Sequence, residues 1–482
     1  GFISFWDGNI GTQIESVQSH KADILCLCLA EDEKSVHCAG VDSMITCYTK
    51  VLLRGGSGTG SQNRSKWMKS IQRRIHEHDV RALALAEDGK LLSGGVDSYL
   101  AISKYPPRTL VMYPPVFQAP CVTVCPDARY IMLRYSTHLE VWQLGRSSPV
   151  QDGNGIQDHL LSLIEDPVQL MMLKSRRGEA IVCADMSSNG RWLAYSTPTL
   201  LNFFRFETGE KVKLQKIPLL FDINPAHRIK FTSDSSEAVV VTCTGDIVVI
   251  QLNGGDLTVE NVCRAREDKL LKDAVHLLTV SQDGKYVVAA DHQSNIVVWT
   301  LSDLKHHCSL PRYSCAPTAL AVHPTTDVLV VVYSDHKIVE YNLVQCKYTE
   351  FSRQLDKRHP MQWLSRGLAV NNISFDHINE DIILLQHDNA ISVINKNKEL
   401  PEAEAKIPRI DSPHSTSDSL EGSRSHPRTS TPENAFHVIK KYKHLVHFEC
   451  LSDDELVAVE VSRLKLTENL PPPLKQKRFG GM

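Results

Sequence analysis

One unit recurs along this chain and limits what it can fold into. Ala39-Gly40-Val41-Asp42-Ser43-Met44-Ile45-Thr46-Cys47-Tyr48 and Gly94-Gly95-Val96-Asp97-Ser98-Tyr99-Leu100-Ala101-Ile102-Ser103 each read as the end of a short strand, a tight Gly/Asp turn and an alternating strand. Weaker copies end at Trp142, Phe204, Ile250, Trp299, Tyr341 and Ile394. Counted from Trp6, the anchors lie 42, 55, 39, 62, 46, 49, 42 and 53 residues apart. A four-stranded propeller blade takes roughly 40–45 residues, and the longer intervals need only loop insertions.

The segments before the anchors carry hairpin signals. Glu87-Asp88-Gly89-Lys90, Ser187-Ser188-Asn189-Gly190-Arg191 and Ser281-Gln282-Asp283-Gly284-Lys285 supply the positive φ that tight hairpins demand. Tyr286-Val287-Val288-Ala289-Ala290 and Val328-Leu329-Val330-Val331-Val332 are β-branched runs, so strands rather than helices carry the apolar pattern. A sandwich also has many short strands, but it does not repeat a four-strand unit along the chain. The expected fold class is all-β: tandem WD-repeat β-propellers, the first incomplete with about two and a half blades, the second seven-bladed.

His20 with Asp42, and His78 with Asp97, stand where a WD blade places a loop histidine and a turn aspartate. The carboxylate can accept hydrogen bonds from imidazole and from the turn, tying strand ends together. Trp142 and Trp299 end alternating strands and are read as structural, with Trp299 expected in the core. His76-Glu77-His78-Asp79 suggests a metal cluster at first sight, yet it precedes a strand start and lacks the HExxH spacing, so a structural role is expected.

Residues 1–105 read as the last blades of a first propeller, of which only one strand of the earliest blade is visible, so further blades are expected to precede this chain. Tyr105-Pro106-Pro107 and Tyr113-Pro114-Pro115 mark a linker over 106–120. Residues 121–462 hold seven blade units. They are interrupted by a Ser/Pro-rich stretch at about 397–435, which is expected to be a disordered insertion. Residues 463–482 form a Pro-rich basic tail ending Leu470-Pro471-Pro472-Pro473-Leu474-Lys475-Gln476-Lys477-Arg478-Phe479-Gly480.

Composition excludes several classes. Net charge is −3 over 482 residues, so any nucleic-acid contact must come from local patches. No apolar run approaches the roughly 18 residues that would span a bilayer, and the expectation is no membrane association. The 13 cysteines are scattered without CxxC spacing, as buried free thiols in a reducing compartment would be. No GxSxG, P-loop, HExxH or dinucleotide fingerprint occurs, so no enzyme activity, cofactor, metal or small-molecule substrate is expected.

The tail just quoted, with His138-Leu139-Glu140-Val141-Trp142-Gln143-Leu144-Gly145, Ile75-His76-Glu77-His78-Asp79-Val80-Arg81 and Pro317-Thr318-Ala319-Leu320-Ala321-Val322-His323-Pro324, closely resembles the cirhin family of tandem-propeller proteins. The resemblance runs the length of the chain. It implies a nucleolar scaffold within the t-Utp (UtpA) subcomplex of the small-subunit processome. It implies as well a contact with the 5′ external transcribed spacer of pre-rRNA, and support of 18S maturation, early small-subunit assembly and rDNA transcription. Candidate RNA or partner contacts are Arg73, Arg74, Lys440, Lys441, Lys443, Lys475, Lys477 and Arg478, each set against the plainer reading of a solvated face. Two other binding classes compete, a WD-repeat peptide reader and a ubiquitin-ligase substrate receptor. The second typically carries Arg two residues after a Trp-Asp pair, which Trp6-Asp7-Gly8-Asn9 lacks.

Overall fold

Tight turns set the hairpins of this chain. In Ser281-Gln282-Asp283-Gly284, the Gly284 N–H donates to the Ser281 carbonyl at 3.0 Å and the Ser281 N–H to Tyr286 at 2.9 Å. Asp283 Oδ1 accepts from the Lys285 N–H at 3.1 Å. The turn at Ser187–Gly190 repeats this, with Gly190 at φ 69°. A Cβ on Gly190 would come within 2.7 Å of the Tyr130 ring, so backbone angle and space both require glycine there.

In a computed structural model, residues 1–53, 64–87, 89–104, 109–113, 121–147, 163–209, 211–253, 256–264, 270–364, 369–402, 407, 409–410, 434–440, 442, 444–452, 455–462, 468 and 470 are described. The chain divides into two compact units, Gly1–Phe117 with Val461–Met482, and Gln118–Glu460. The first unit holds two antiparallel four-stranded sheets. One runs through Ile24–Leu29, Ser35–Gly40, Met44–Leu53 and Arg64–Arg74, the other through Val80–Leu85, Leu91–Gly95, Leu100–Lys104 and Thr109–Tyr113. Ahead of them Phe2–Trp6 pairs with Gln13–Gln18, so the earliest blade contributes two strands and not the one expected. Gln13–Gln18 is exposed on most positions, which hides it from an apolar-pattern search.

The second unit is a ring of seven sheets. Their innermost strands are Val122–Cys125, Cys183–Met186, Ala226–Phe231, Val275–Val280, Pro317–Val322, Asn372–Phe375 and Leu445–Cys450. Each lies against the next, and the last lies against the first, which closes the circle. Both faces of the middle strands are covered: every residue of Val328–Tyr333 and Tyr286–Asp291 is buried. Burying one such aliphatic side chain stabilises by about 1.5–3 kcal/mol, and a sheet standing alone could bury neither of its faces. The closure packs Val122, Val124 and Ile131 of the first blade on Leu451, Val457 and Val459 of the seventh. The Arg129 guanidinium pairs with Glu455 across it.

Side chains also bind four of the blades to the next one's main chain. Arg134 donates to the Ile181 and Val182 carbonyls at 3.0 and 2.7 Å, and Arg228 Nε to that of His276 at 2.9 Å. His276 Nε2 meets the Pro317 carbonyl at 2.8 Å, and Gln386 Nε2 donates to that of Leu445 at 3.3 Å.

Two insertions lengthen the intervals that end at Phe204 and Ile394, and a third follows the last anchor. Arg146–Ser147 and Leu163–Glu165 form a side hairpin on the first blade. After the short fourth strand of the fifth blade, Lys347–Tyr348, come two helices, Glu350–Lys357 and Met361–Leu364, that the strand-only reading did not foresee. Thr349 caps the first, accepting from the Ser352 N–H at 3.2 Å, and Trp363 is fully buried against the sixth blade. In the sixth blade Arg409–Ile410 pairs in parallel with Phe436–Ile439, and Ile407 is buried. The start of the stretch expected to be disordered is therefore part of a blade, while 411–433 lie outside the described residues.

Candidate functional site

Strands in each blade alternate in direction. The turns joining second to third strands therefore share one face of the ring with the segments joining each blade to the next. On that face, between the fourth and fifth blades, the turn His292-Gln293-Ser294 meets the connecting segment Pro311-Arg312-Tyr313-Ser314. They line a cavity of about 380 Å³. Arg312 Nε donates to the Gln293 carbonyl at 3.0 Å, and the His292 ring stacks on His276 at 4.0 Å.

A second cleft of about 150 Å³ shares Arg312 and Tyr313 and adds Lys337, Tyr348, Arg353 and Asp356. The Tyr313 hydroxyl donates to Asp335 Oδ2 at 2.6 Å, and that carboxylate together with burial pushes the phenol up to about 12. Lys337 Nζ lies 4.8 Å from the Tyr313 ring centre and 2.6 Å from Asp356 Oδ1. The helix Glu350–Lys357 presents exposed Arg353 to this cleft. Exposed guanidinium groups around a tyrosine held at both ends suit a short acidic or phosphorylated segment, since guanidinium forks match carboxylate and phosphate oxygens.

At the ring axis, groups from four blades converge. Asp185 accepts from Thr123 Oγ1 at 3.0 Å and from the Phe231 N–H at 2.9 Å. Lys230 lies beside it with its side chain exposed, and the Asp185 carboxylate holds its ammonium above the usual range. Burial opposes ionisation of Glu449, but His447, bonded at 3.0 Å, and Lys230 outweigh it and hold the carboxyl low. This is a paired, hydrogen-bonded hub with a structural chemistry.

The residues singled out from sequence divide clearly. His20 Nδ1 lies 2.8 Å from Asp42 Oδ1, and its Nε2 3.1 Å from Cys38 Sγ. Asp97 is met by His76, at 3.1 Å, and not by His78, while His76 Nε2 contacts Ser93 Oγ at 2.9 Å. His78 turns instead to its neighbour, its Nδ1 accepting from the Asp79 N–H at 2.8 Å. The spacing decides this. Twenty-one residues separate His76 from Asp97, close to the twenty-two between His20 and Asp42. Burial alone would raise the Asp97 carboxyl, but the His76 bond and the N–H groups of Glu77 and Tyr99 hold it below the usual range.

Trp299 is fully buried, whereas Trp142 is half-buried at the ring closure with Nε1 donating to Glu140 at 3.0 Å. Arg73 and exposed Arg74 end the strand Arg64–Arg74 in the first unit, and Lys440 is exposed after Phe436–Ile439 in the second. Lys441, Lys443, Lys475, Lys477 and Arg478 lie outside the described residues. The Arg312–Tyr313 cleft escaped the sequence reading, although Leu310-Pro311-Arg312-Tyr313, a basic-aromatic step between two blades, was its signal.

No family model matches the chain. It is 28% identical over 492 aligned residues to the U3 small nucleolar RNA-associated protein 4 homolog of Homo sapiens, covering all of this chain and 68% of that protein. Its counterpart in Mus musculus is 29% identical, also across the whole chain and 68% of its own length. U3 small nucleolar RNA-associated protein 4 of Schizosaccharomyces pombe is 24% identical, again across the whole chain. From end to end, this propeller chain is thus similar to proteins of that name in mammals and yeast.

Proposed function

We propose that this chain is a non-catalytic scaffold in nucleolar processing of pre-rRNA, acting with the U3 small nucleolar ribonucleoprotein machinery. The observation that carries the reading is similarity along the whole chain to U3 small nucleolar RNA-associated proteins. A ring locked by side chain to main-chain bonds at blade junctions supports it, because such a body holds partners at fixed angles. In finer detail, the chain acts within the t-Utp (UtpA) subcomplex of the small-subunit processome, in the nucleolus, on particles carrying the 5′ external transcribed spacer. It thereby supports 18S maturation and rDNA transcription. The Arg312–Tyr313 cleft receives an acidic partner segment, and Arg73, Arg74, Lys440, Lys441, Lys443, Lys475, Lys477 and Arg478 serve as RNA or acidic-partner contacts.

The test is affinity purification of the tagged full protein from its own cells, with U3 snoRNA and 5′-spacer RNA measured in the eluate. Both should be enriched over a spliceosomal RNA, and depletion of the protein should lower 18S rRNA without lowering large-subunit rRNA. An eluate free of U3 snoRNA, with unchanged 18S on depletion, would defeat the reading. Replacing Arg312 and Arg353 by Glu should reduce protein partners in the eluate while the melting temperature holds. Replacing Lys475, Lys477 and Arg478 by Glu should instead lower RNA recovery and flatten its dependence on salt.

A further inference from the structure

Cysteines in this chain are mostly solitary. Among the described residues one group of three metal-ligating side chains forms at the seam between the fourth and fifth blades, and it comprises His307, Cys308 and Cys346. His307 and Cys308 stand in the outer strand His306–Ser309 of the fourth blade. Cys346 comes from the turn between Ile338–Asn342 and Lys347–Tyr348 of the fifth. That turn is fixed by Asn342 Oδ1, which accepts from the Gln345 N–H at 2.8 Å, and Cys346 sits in it at φ 51°. The two blades bring residues 38 and 39 positions apart together without help from either local sequence.

We infer that His307, Cys308 and Cys346 form a zinc-class metal site that staples the fourth blade to the fifth. The three ligand atoms all lie within 4.8 Å of one another, and His307 Nε2 is 3.7 Å from Cys346 Sγ. In a tetrahedral site with Zn–S of about 2.3 Å and Zn–N of about 2.0 Å, neighbouring ligand atoms are about 3.5–3.8 Å apart. Closure therefore needs movements of about 1 Å or less, and the exposed Cys346 turn can supply them. Two thiolates and an imidazole select a thiophilic ion such as Zn(II) over Mg(II) or Ca(II). Cys308 is buried and Cys346 exposed, so solvent can supply water as the fourth ligand. On binding, each thiol releases its proton to solvent. The imidazole, which donates Nε2–H to the Leu343 carbonyl at 2.8 Å, loses that proton to solvent and takes one up on Nδ1, which frees the Nε2 lone pair for the ion. The Tyr286 ring, 5.0 Å from the imidazole centre, limits how far that ring can turn.

The test uses the reduced full chain, titrated anaerobically with Co(II) as a spectroscopic stand-in and then with Zn(II). One equivalent of Co(II) should give tetrahedral visible bands with a thiolate charge-transfer band, and one equivalent of Zn(II) should bleach both. Cys346→Ser, an exposed position, should keep the wild-type melting temperature in the metal-free state and lose that equivalent. His307→Gln should weaken Co(II) at least about tenfold. Zn(II) should raise the melting temperature of the wild type and leave that of Cys346→Ser unmoved. Identical Co(II) spectra for wild type and Cys346→Ser would overturn the site. So would a Cys308–Cys346 disulfide that persists under reductant and blocks Zn(II).

Discussion

At the scale of single residues, carboxylates report most directly on their surroundings. Asp97 has its charge fixed by His76 and two backbone N–H groups. Asp97→Asn should cost about 2–3 kcal/mol, as expected for a buried charged hydrogen-bond acceptor, read by chemical denaturation at pH 7. Its folded pKa is depressed, so the contribution is present above the unfolded carboxylate range and disappears as pH falls through the folded value. The wild-type advantage over Asp97→Asn should therefore shrink on acidification. Glu237 behaves in the opposite way. Burial and the neighbouring Glu260 push it up to about 7. Because the folded state prefers the protonated form, this site loses stability as pH rises from about 4.5 to about 7 and regains it as pH falls. Glu237→Gln should raise the melting temperature at pH 8 and make little difference at pH 4. Both aspartates of the repeated turn were legible in the sequence. Which histidine serves Asp97 was legible only through the spacing already set by His20 and Asp42, because His76-Glu77-His78 offers two.

At the scale of elements, the hairpins could be read in advance and the helices could not. Asp-Gly and Asn-Gly turns impose backbone angles locally, so Ser281–Gly284 announces itself. Glu350–Lys357 buries only Ser352 and Leu355, too narrow a stripe to register as a helical pattern, and its packing depends on Trp363 thirteen residues after the Glu350 start. Thr349→Ala should cost about 1 kcal/mol through loss of the cap. Trp299 sits at the centre of its sheet with the indole N–H buried and unbonded among the described residues. Trp299→Ala should cost about 3–5 kcal/mol in thermal or chemical melts. Trp299→Phe should cost far less, because it removes the unsatisfied donor while keeping most of the ring. The docking cleft could not be read from sequence for a different reason. Arg312-Tyr313 stands out as a basic-aromatic step, but Lys337 and Arg353, which complete the cleft, lie 25 and 41 positions after Arg312 and only the fold brings them there.

For the molecule as a whole, the ring holds its blades by nearest-neighbour contacts, so it has no single deep core to fall back on. The number of blades was legible because each one spends a similar length of chain. Closure was not, since it joins Arg129 to a partner 326 positions away. Glu455→Ala should therefore loosen the first and seventh blades selectively, seen as faster amide exchange in Val122–Cys125 and Leu456–Glu460 with the third and fourth blades unchanged. The same junction bears on synthesis. Blades two to six can each pack on the preceding one as they leave the ribosome, but the outer side of the first must wait for Leu445–Glu460 to emerge. Until that late segment arrives, an arc of strands stands with both ends uncovered. The interval when this ring most needs a chaperone is accordingly set by translation speed between the sixth blade and Glu460.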